Sequence, residues 1–575
     1  MTASKWWQMA VFYQIYPRSF ADGNGDGVGD FNGMIERLDY LEDLGIDAVW
    51  LSPFYPSPQF DCGYDVSDYC AVAPEYGTLE DFQRFVLCAH QRGIRVILDW
   101  VPNHTSDRHA WFREARSERN SPKRDWYVWR DGRDGGPPNN WCSVFGGSAW
   151  ECDPSSQQYY YHCFFKQQPD LNWRNPAVKN AMFDTIHFWL DRGADGFRLD
   201  AIGTIFEDAE ERDHEEMLSQ AELYRAIRLA QDEHERSVAW RGMDRLYARQ
   251  MEQPEVHELM QELRSMLDGY PDCLLVGETE APKYYGDGHN ELHLVFNFPL
   301  METDRLTPEW VRRNQAQRLA QLPAGAWPCN TLGNHDRGRV YSQYGDGQND
   351  LAIAKLSLAL MLTLRGTPFL YYGEEIGMTD LVLDDLGQFR DNLSLWYYHM
   401  EREVMGSAPA EAVRWAAKFG RDKNRTPMQW ADAPNAGFSP SGVRPWLPVN
   451  PDHAKGVNVA SQLADPDSLL NFYRRLLRLR KQTPALMVGE YHPLLEDLKD
   501  CLVFLRSSAD DRQTCLVMLN MSDQPQSVSP APEANSGRLL FSSRERSDRV
   551  ALSPVMLSPF EILIVELPGL HWDDR

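Results

Sequence analysis

Eight short runs rich in β-branched and aromatic residues, each followed by a stretch with apolar residues at helical spacing, constrain this chain more than any other feature. They fall at 11–17, 47–53, 95–101, 196–201, 274–278, 294–298, 329–335 and 368–374. Between them lie amphipathic stretches such as 33–44 and 78–92. Eight βα units in succession spell a closed parallel barrel, so the expected fold is α/β, a (β/α)₈ TIM barrel.

At 575 residues the chain exceeds one hydrophobic core, so further modules are expected. The connection after the third strand, 103–176, is rich in Trp, Tyr, Gly, Pro and Asn and reads as an irregular subdomain over the barrel mouth. A second long connection, 201–273, is charged and helical and reads as solvated helices. After a helix at 469–480 the pattern changes to short alternating strands (CLVFLR, TCLVMLN, EILIVEL) separated by polar turns. The expected organisation is a barrel over 1–103 and 177–485, an inserted subdomain over 104–176, and a C-terminal antiparallel β-sandwich over 486–575.

A formal charge of −26 disfavours phosphate backbones and anionic lipid as partners, so neither nucleic acid nor membrane is expected, and a neutral small molecule fits better. The ten cysteines form no CxxC pair, so neither a zinc site nor a disulfide framework is indicated. With no secretion signal or membrane-length apolar run, a cytoplasmic protein with reduced thiols is expected.

Active sites of such barrels gather at the C-terminal ends of the strands. Three acids stand there: Asp200 in GFRLDA, Glu278 in LLVGETE and Asp336 in LGNHDRGR. A single strand-end acid is as readily an ion-pair partner of a nearby Arg as a catalyst. Three together, with His and Arg beside them, suit cleavage of a glycosidic bond with retention. That chemistry needs one carboxylate to attack and one carboxyl to protonate the leaving oxygen, about 5–5.5 Å apart.

In this order, DWVPNH, GFRLDA, GETE and GNHD resemble the four consensus regions of glycoside hydrolase family 13, the α-amylase superfamily, and they fall on strands three, four, five and seven. Through QPDLN (168–172), GYD (63–65) and RTPMQW (425–430) the resemblance narrows to the branch of oligo-1,6-glucosidases, α-glucosidases and trehalose synthases. It implies Asp200 as nucleophile, Glu278 as acid/base and Asp336 as the group that grips sugar hydroxyls. His104, Arg198 and His335 complete the glucose subsite, with Tyr64, Gln168 and Arg421 as further substrate contacts. Arg198, two residues before Asp200 on one strand face, is expected to keep the nucleophile ionised. The resemblance further implies that Asp61 pairs with Arg425 to seal a pocket for one non-reducing-end glucose. Ala201, directly after the nucleophile, resembles the Ala or Thr of α-1,4 enzymes rather than the Val of α-1,6 enzymes.

The segment DGNGDGVGD offers oxygens at alternate positions, from Asp22, Asn24, Asp26, the Val28 carbonyl and Asp30, with glycines permitting a tight wrap. It lacks the final bidentate Glu of an EF-hand. The resemblance implies a structural Ca²⁺ or Mg²⁺ there, and no organic cofactor is expected. The expected activity is therefore exo-acting α-glucosidase on short α-1,4 oligosaccharides or small α-glucosides. Its rivals are a transglucosylase or isomerase (trehalose synthase-like or sucrose-acting) on the same site and a non-catalytic glucosidase-like subunit, which would carry a membrane anchor and have lost the acids.

Overall fold

The computed structural model describes residues 4–508, 512–530 and 535–568; residues 1–3 and 569–575, the outer ends of the expected barrel and C-terminal units, lie outside the described residues, as do 509–511 and 531–534. Eleven strands precede the C-terminal region: β1 (Phe12–Ile15), β2 (Ala48–Leu51), β3 (Arg95–Trp100), β4 (Trp129–Asp131), β5 (Trp150–Asp153), β6 (Gln158–Tyr161), β7 (Gly196–Leu199), β8 (Leu274–Gly277), β9 (Leu294–Val295), β10 (Cys329–Thr331) and β11 (Thr367–Tyr371). Eight of them form one parallel sheet in the order β10-β11-β1-β2-β3-β7-β8-β9. A parallel bridge from Phe296 to Cys329 joins its two ends and closes the ring. Every expected barrel strand is present.

Alternation along these strands explains both the core and the site. Side chains of one parity point into the barrel. At the lower level they are apolar: Phe12, Ala48, Ile97, Leu274 and Phe369 belong to one buried cluster, with Phe12 and Phe369 stacked at 4.3 Å. Two residues further along, the same faces carry Gln14, Asp99 and Arg198, and two further still Asp200 and Glu278. The barrel thus changes from an oily floor to a charged rim over about 7 Å per two residue steps. At Gly196, φ is +152° and a Cβ would stand 2.3 Å from the Leu274 carbonyl oxygen, so only glycine lets β7 and β8 approach here.

The other parity meets the covering helices. Helix Leu79–Gln91 starts at a capping box, Thr78 with Asp81, and buries Phe82, Phe85, Val86 and Ala89 at helical spacing. Losing the Thr78 cap would cost about 1 kcal/mol.

Within the excursion after β3, strands β4-β6-β5 form a small antiparallel sheet, and its Trp150 and Tyr161 pack with Trp141 from the connecting loop in a core of their own. The second connection contains helices Gln220–Leu229, Glu233–Tyr247 and Glu255–Leu267. A third elaboration, which the strand pattern does not announce, follows β11: helix Asn392–Met400, a π-helical turn Glu401–Met405 and helix Pro409–Phe419. The C-terminal region forms a six-stranded antiparallel sheet between Glu490 and Glu566 with a two-stranded sheet, Gln526–Val528 with Val555–Leu557, against it. Leu516, Met518, Leu563 and Val565 face Val528, Val555 and Leu557 in a shared core. All ten cysteines are free thiols, and among the described residues no helix is long and apolar enough to cross a membrane.

Candidate active site

Arg198, buried at the end of β7, organises the expected catalytic pair. Its Nη1 donates to Asp99 Oδ1 at 2.6 Å and to Asp200 Oδ1 at 2.7 Å, while Nη2 lies 2.8 Å from Glu278 Oε2. Glu278 Oε2 also accepts the Ala201 amide at 3.0 Å. That amide is aimed by a left-handed backbone at Ala201 (φ 43°, ψ 43°), a strained conformation of the kind that collects at functional sites.

One guanidinium therefore serves three carboxylates, and the balance on Asp200 differs from the expectation that Arg198 keeps it ionised. Burial pushes the Asp200 carboxyl well above the usual range; Arg198 opposes this, and the negative charges of Glu278 and Asp99 add to it. Asp99 is likewise pushed up to about 6, chiefly by burial. Burial and mutual repulsion among the three acids thus favour keeping a proton within the cluster.

Asp336 stands in the opposite field. Burial would raise its carboxyl, but His335, Arg421 and Arg425 outweigh it and hold the group well below the usual carboxylate range. Burial also drives His335 toward its neutral form, so the two guanidinium groups supply the charge. Arg425 Nη2 donates to Asp336 Oδ1 at 2.6 Å and its Nε to the His335 carbonyl at 2.8 Å, with its plane over Tyr16. The expected Asp61–Arg425 pair is consequently not formed. It is Arg421 that meets Asp61, Nη2 to Oδ1 at 2.6 Å. A short 3₁₀ turn, Asp422–Asn424, separates the two arginines and directs them to different acids.

Asp391 holds Arg421 from behind, accepting Nε at 2.8 Å and Nη2 at 2.7 Å. On the other side, Gln168 donates to Asp61 Oδ2 at 3.0 Å and its amide nitrogen lies 2.9 Å from His104 Nε2. The turn carrying Asp61 is tied by Asp65, whose carboxylate accepts the Phe60 and Asp61 amides and the Ser57 hydroxyl. Tyr64 bridges the halves of the site: its hydroxyl donates to Asp99 Oδ2 at 3.1 Å and lies 2.5 Å from His335 Nε2. Burial lowers His104 to about 3, leaving a neutral imidazole.

Together these groups line a cavity of about 700 Å³, within the range of small-molecule sites. Asp61, Tyr64, His104, Asp200, Ala201, Glu278, Asp336 and Arg421 reach it directly. Gln168, Arg198, His335 and Arg425 support those residues from below. Sequence reasoning missed Asp99, although it stands in the quoted DWVPNH and on the inward parity of β3. It also missed Asp391, which no motif marks, and Phe145, Phe164, Tyr397 and Phe419 at the mouth. The 201–273 connection is not wholly solvated either: Tyr224 and Met243 face a cleft beside the mouth.

The loop 22–30 lies apart from this cavity, against the segment around Phe438–Trp446. Gly25 and Gly27 take positive φ, as the wrap requires. Asp22 accepts the Gly25 and Gly27 amides, and Asp30 those of Gly23, Asn24 and Gly33. Among the described residues no three acidic, His or Cys side chains converge as a metal cage. The donors are nonetheless all oxygens, and a carboxylate that accepts two or three amides retains lone pairs, so the set is chemically suited to a hard cation.

Residues 14–489 match the family model described as alpha amylase, catalytic domain. The chain is 39% identical over 584 residues to the oligo-1,6-glucosidase of Parageobacillus thermoglucosidasius, covering 98% of this chain and 99% of the relative. To a probable alpha-glucosidase of Rhizobium meliloti it is 41% identical over 531 residues, 90% of each. Among solved structures, the trehalulose synthase of Pseudomonas mesoacidophila MX-45 superposes with a TM-score of 0.86 at 37% identity, covering 98% of this chain and 100% of that one.

Proposed function

Because the chain belongs to the α-amylase family of glycoside hydrolases, we propose that it is a retaining, exo-acting α-glucosidase that removes single terminal glucose units from small α-glucosides. The observation that carries this reading is the seal at Arg421, clamped between Asp391 and Asp61. With one end of the cavity stopped by charge, the reacting sugar is a chain end and leaves no room for a longer glycone.

Arg198 occupies Asp200 Oδ1, so Oδ2 is the oxygen that attacks the anomeric carbon. As that bond forms, the bond to the leaving oxygen breaks, and the proton of Glu278 passes to it. Water then gives a proton to Glu278 while its oxygen takes the anomeric carbon from Asp200. Asp336, kept ionised by Arg421 and Arg425, favours the cationic transition state and accepts sugar hydroxyls. Closely spaced acids suit retention, and one guanidinium spanning Asp200 and Glu278 supports that spacing. Ala201, which lines the cavity, resembles the residue of α-1,4 enzymes at this position, and that resemblance supports a preference for α-1,4 bonds. Free thiols support a cytoplasmic enzyme. Asp22, Asn24, Asp26, the Val28 carbonyl and Asp30 would hold Ca²⁺ or Mg²⁺ as a brace for the loop, outside the chemistry.

Proton NMR of fresh digests tests the mechanism: α-glucose as first product from maltose supports it, and β-glucose overturns it. A second reading, transfer of the glucosyl group to a sugar, draws support from the trehalulose synthase likeness. Chromatography of maltose, isomaltose and sucrose digests separates the two, since free glucose as the main product supports hydrolysis and isomerised disaccharide supports transfer.

A further inference from the structure

Beside the mouth of the catalytic cavity lies a second cleft of about 280 Å³, walled by Tyr224, Trp240, Met243, Trp396, Tyr397 and Phe419. Helices Gln220–Leu229 and Glu233–Tyr247 supply one side and helices Asn392–Met400 and Pro409–Phe419 the other. The cleft adjoins the site: Phe145, Leu393, Tyr397 and Phe419 line both spaces. A row of rings leads into it, His104 to Phe164 at 5.3 Å and Phe164 to Phe145 at 5.7 Å.

Several of its polar side chains are already committed. Tyr224 donates to Glu401, Gln220 donates to the Ser143 carbonyl and the Tyr247 hydroxyl, and Arg228 is paired with Glu401 while its guanidinium carbon stands 3.4 Å over the Trp415 ring centroid. A second glucose ring would bury its hydroxyls against these faces with few partners, at a cost of about 1–3 kcal/mol for each one left unpaired. An apolar group meets no such penalty. Trp240 and Phe419, 53% and 42% exposed, meanwhile keep large apolar surfaces in water. The space exceeds the roughly 150 Å³ that accommodates benzene in a protein interior.

We propose that this cleft is an aglycone site for aromatic or alkyl groups, so that the enzyme takes α-glucosides of apolar alcohols alongside oligosaccharides. The proposal rests on the glucosidase reading above. Methyl and 4-phenylbutyl α-D-glucopyranoside share a primary alkoxide leaving group, so their difference in kcat/KM reports aglycone binding rather than bond reactivity. The unaltered enzyme should prefer the phenylbutyl glucoside by about ten- to a hundredfold, the worth of burying a phenyl group. Trp240→Ala should lose threefold or more of that preference while hydrolysing the methyl glucoside as before. Independently of any variant, 4-phenylbutan-1-ol should inhibit cleavage of the phenylbutyl glucoside competitively. Equal kcat/KM for the two glucosides, or a preference that survives intact in Trp240→Ala, overturns the aglycone site while leaving the glucosidase reading standing. Failure to cleave maltose and both glucosides overturns the glucosidase reading and the aglycone site with it.

Discussion

Replacing Asp391 isolates the device that closes the glucose pocket. The residue is fully buried and gives Arg421 two charge-assisted side-chain bonds, at 2.8 and 2.7 Å. Burial pushes its carboxyl up, but Arg421 outweighs this and the net shift is downward. A carboxyl lowered in the folded state contributes stability that is complete above its unfolded value, about 3.9, and is lost as pH falls through the folded one. Asp391→Ala removes both bonds and one of the buried charges that compensate Arg421, which should cost about 3–5 kcal/mol at neutral pH. Asp391→Asn keeps one acceptor oxygen and should cost about 1.5–3 kcal/mol, the usual worth of a charged hydrogen bond. Arg421 would then be held by Asp61 at 2.6 Å and by Asp336 at 3.5 Å, and would swing toward the catalytic side. The KM for maltose should rise about tenfold for every 1.4 kcal/mol of binding lost. Urea unfolding followed by tryptophan fluorescence, with maltose kinetics on the same preparations, measures both quantities. An Ala variant within about 0.5 kcal/mol of the parent, the usual size of a neutral surface change, and with unaltered KM would refute the clamp.

Glu278→Gln should lower kcat/KM on maltose by about 10²–10⁴-fold and on α-glucosyl fluoride far less, because fluoride leaves without a proton; equal loss on both would rule out the acid role. The acidic limb of kcat/KM should lie above the ordinary carboxylate range, since Asp200 must be ionised to attack and burial raises it. Asp99→Asn removes one of the negative neighbours and should move that limb to lower pH; no displacement would contradict the shared-charge cluster. Exhaustive dialysis against EDTA should lower the melting temperature without changing the KM for maltose, and Asp26→Ala should reproduce the effect. A melting temperature indifferent to both would argue against a cation in the 22–30 loop.

The barrel was legible because parallel strands buried on both faces leave near-continuous apolar runs, which Ala48–Leu51 and Leu274–Gly277 display. Asp200, Glu278 and Asp336 were legible because strand ends bring distant acids to one rim. Asp99 could have been found by the same alternation, two residues beyond the inward-facing Ile97. The choice between Arg421 and Arg425 was not legible. They flank a single 3₁₀ turn, and their directions depend on Asp422 accepting the amides of Arg390 and Asp391, contacts 32 and 31 residues away that leave no local periodicity. The side cleft escaped for a similar reason: Trp240 and Tyr224 lie in a strongly charged helical stretch, and only the packing of helices around them separates an inner face from a solvated one.

The covalent step on Asp200 is the central claim, and a slow-turnover substrate tests it most directly. After incubation with 5-fluoro-α-D-glucosyl fluoride and proteolysis, mass spectrometry should find the fluoroglucosyl group esterified to Asp200 in the peptide containing GFRLDA. Asp200→Asn should carry no label and no activity while unfolding like the parent. A label on Glu278 or Asp336, or full activity in Asp200→Asn, would contradict the account.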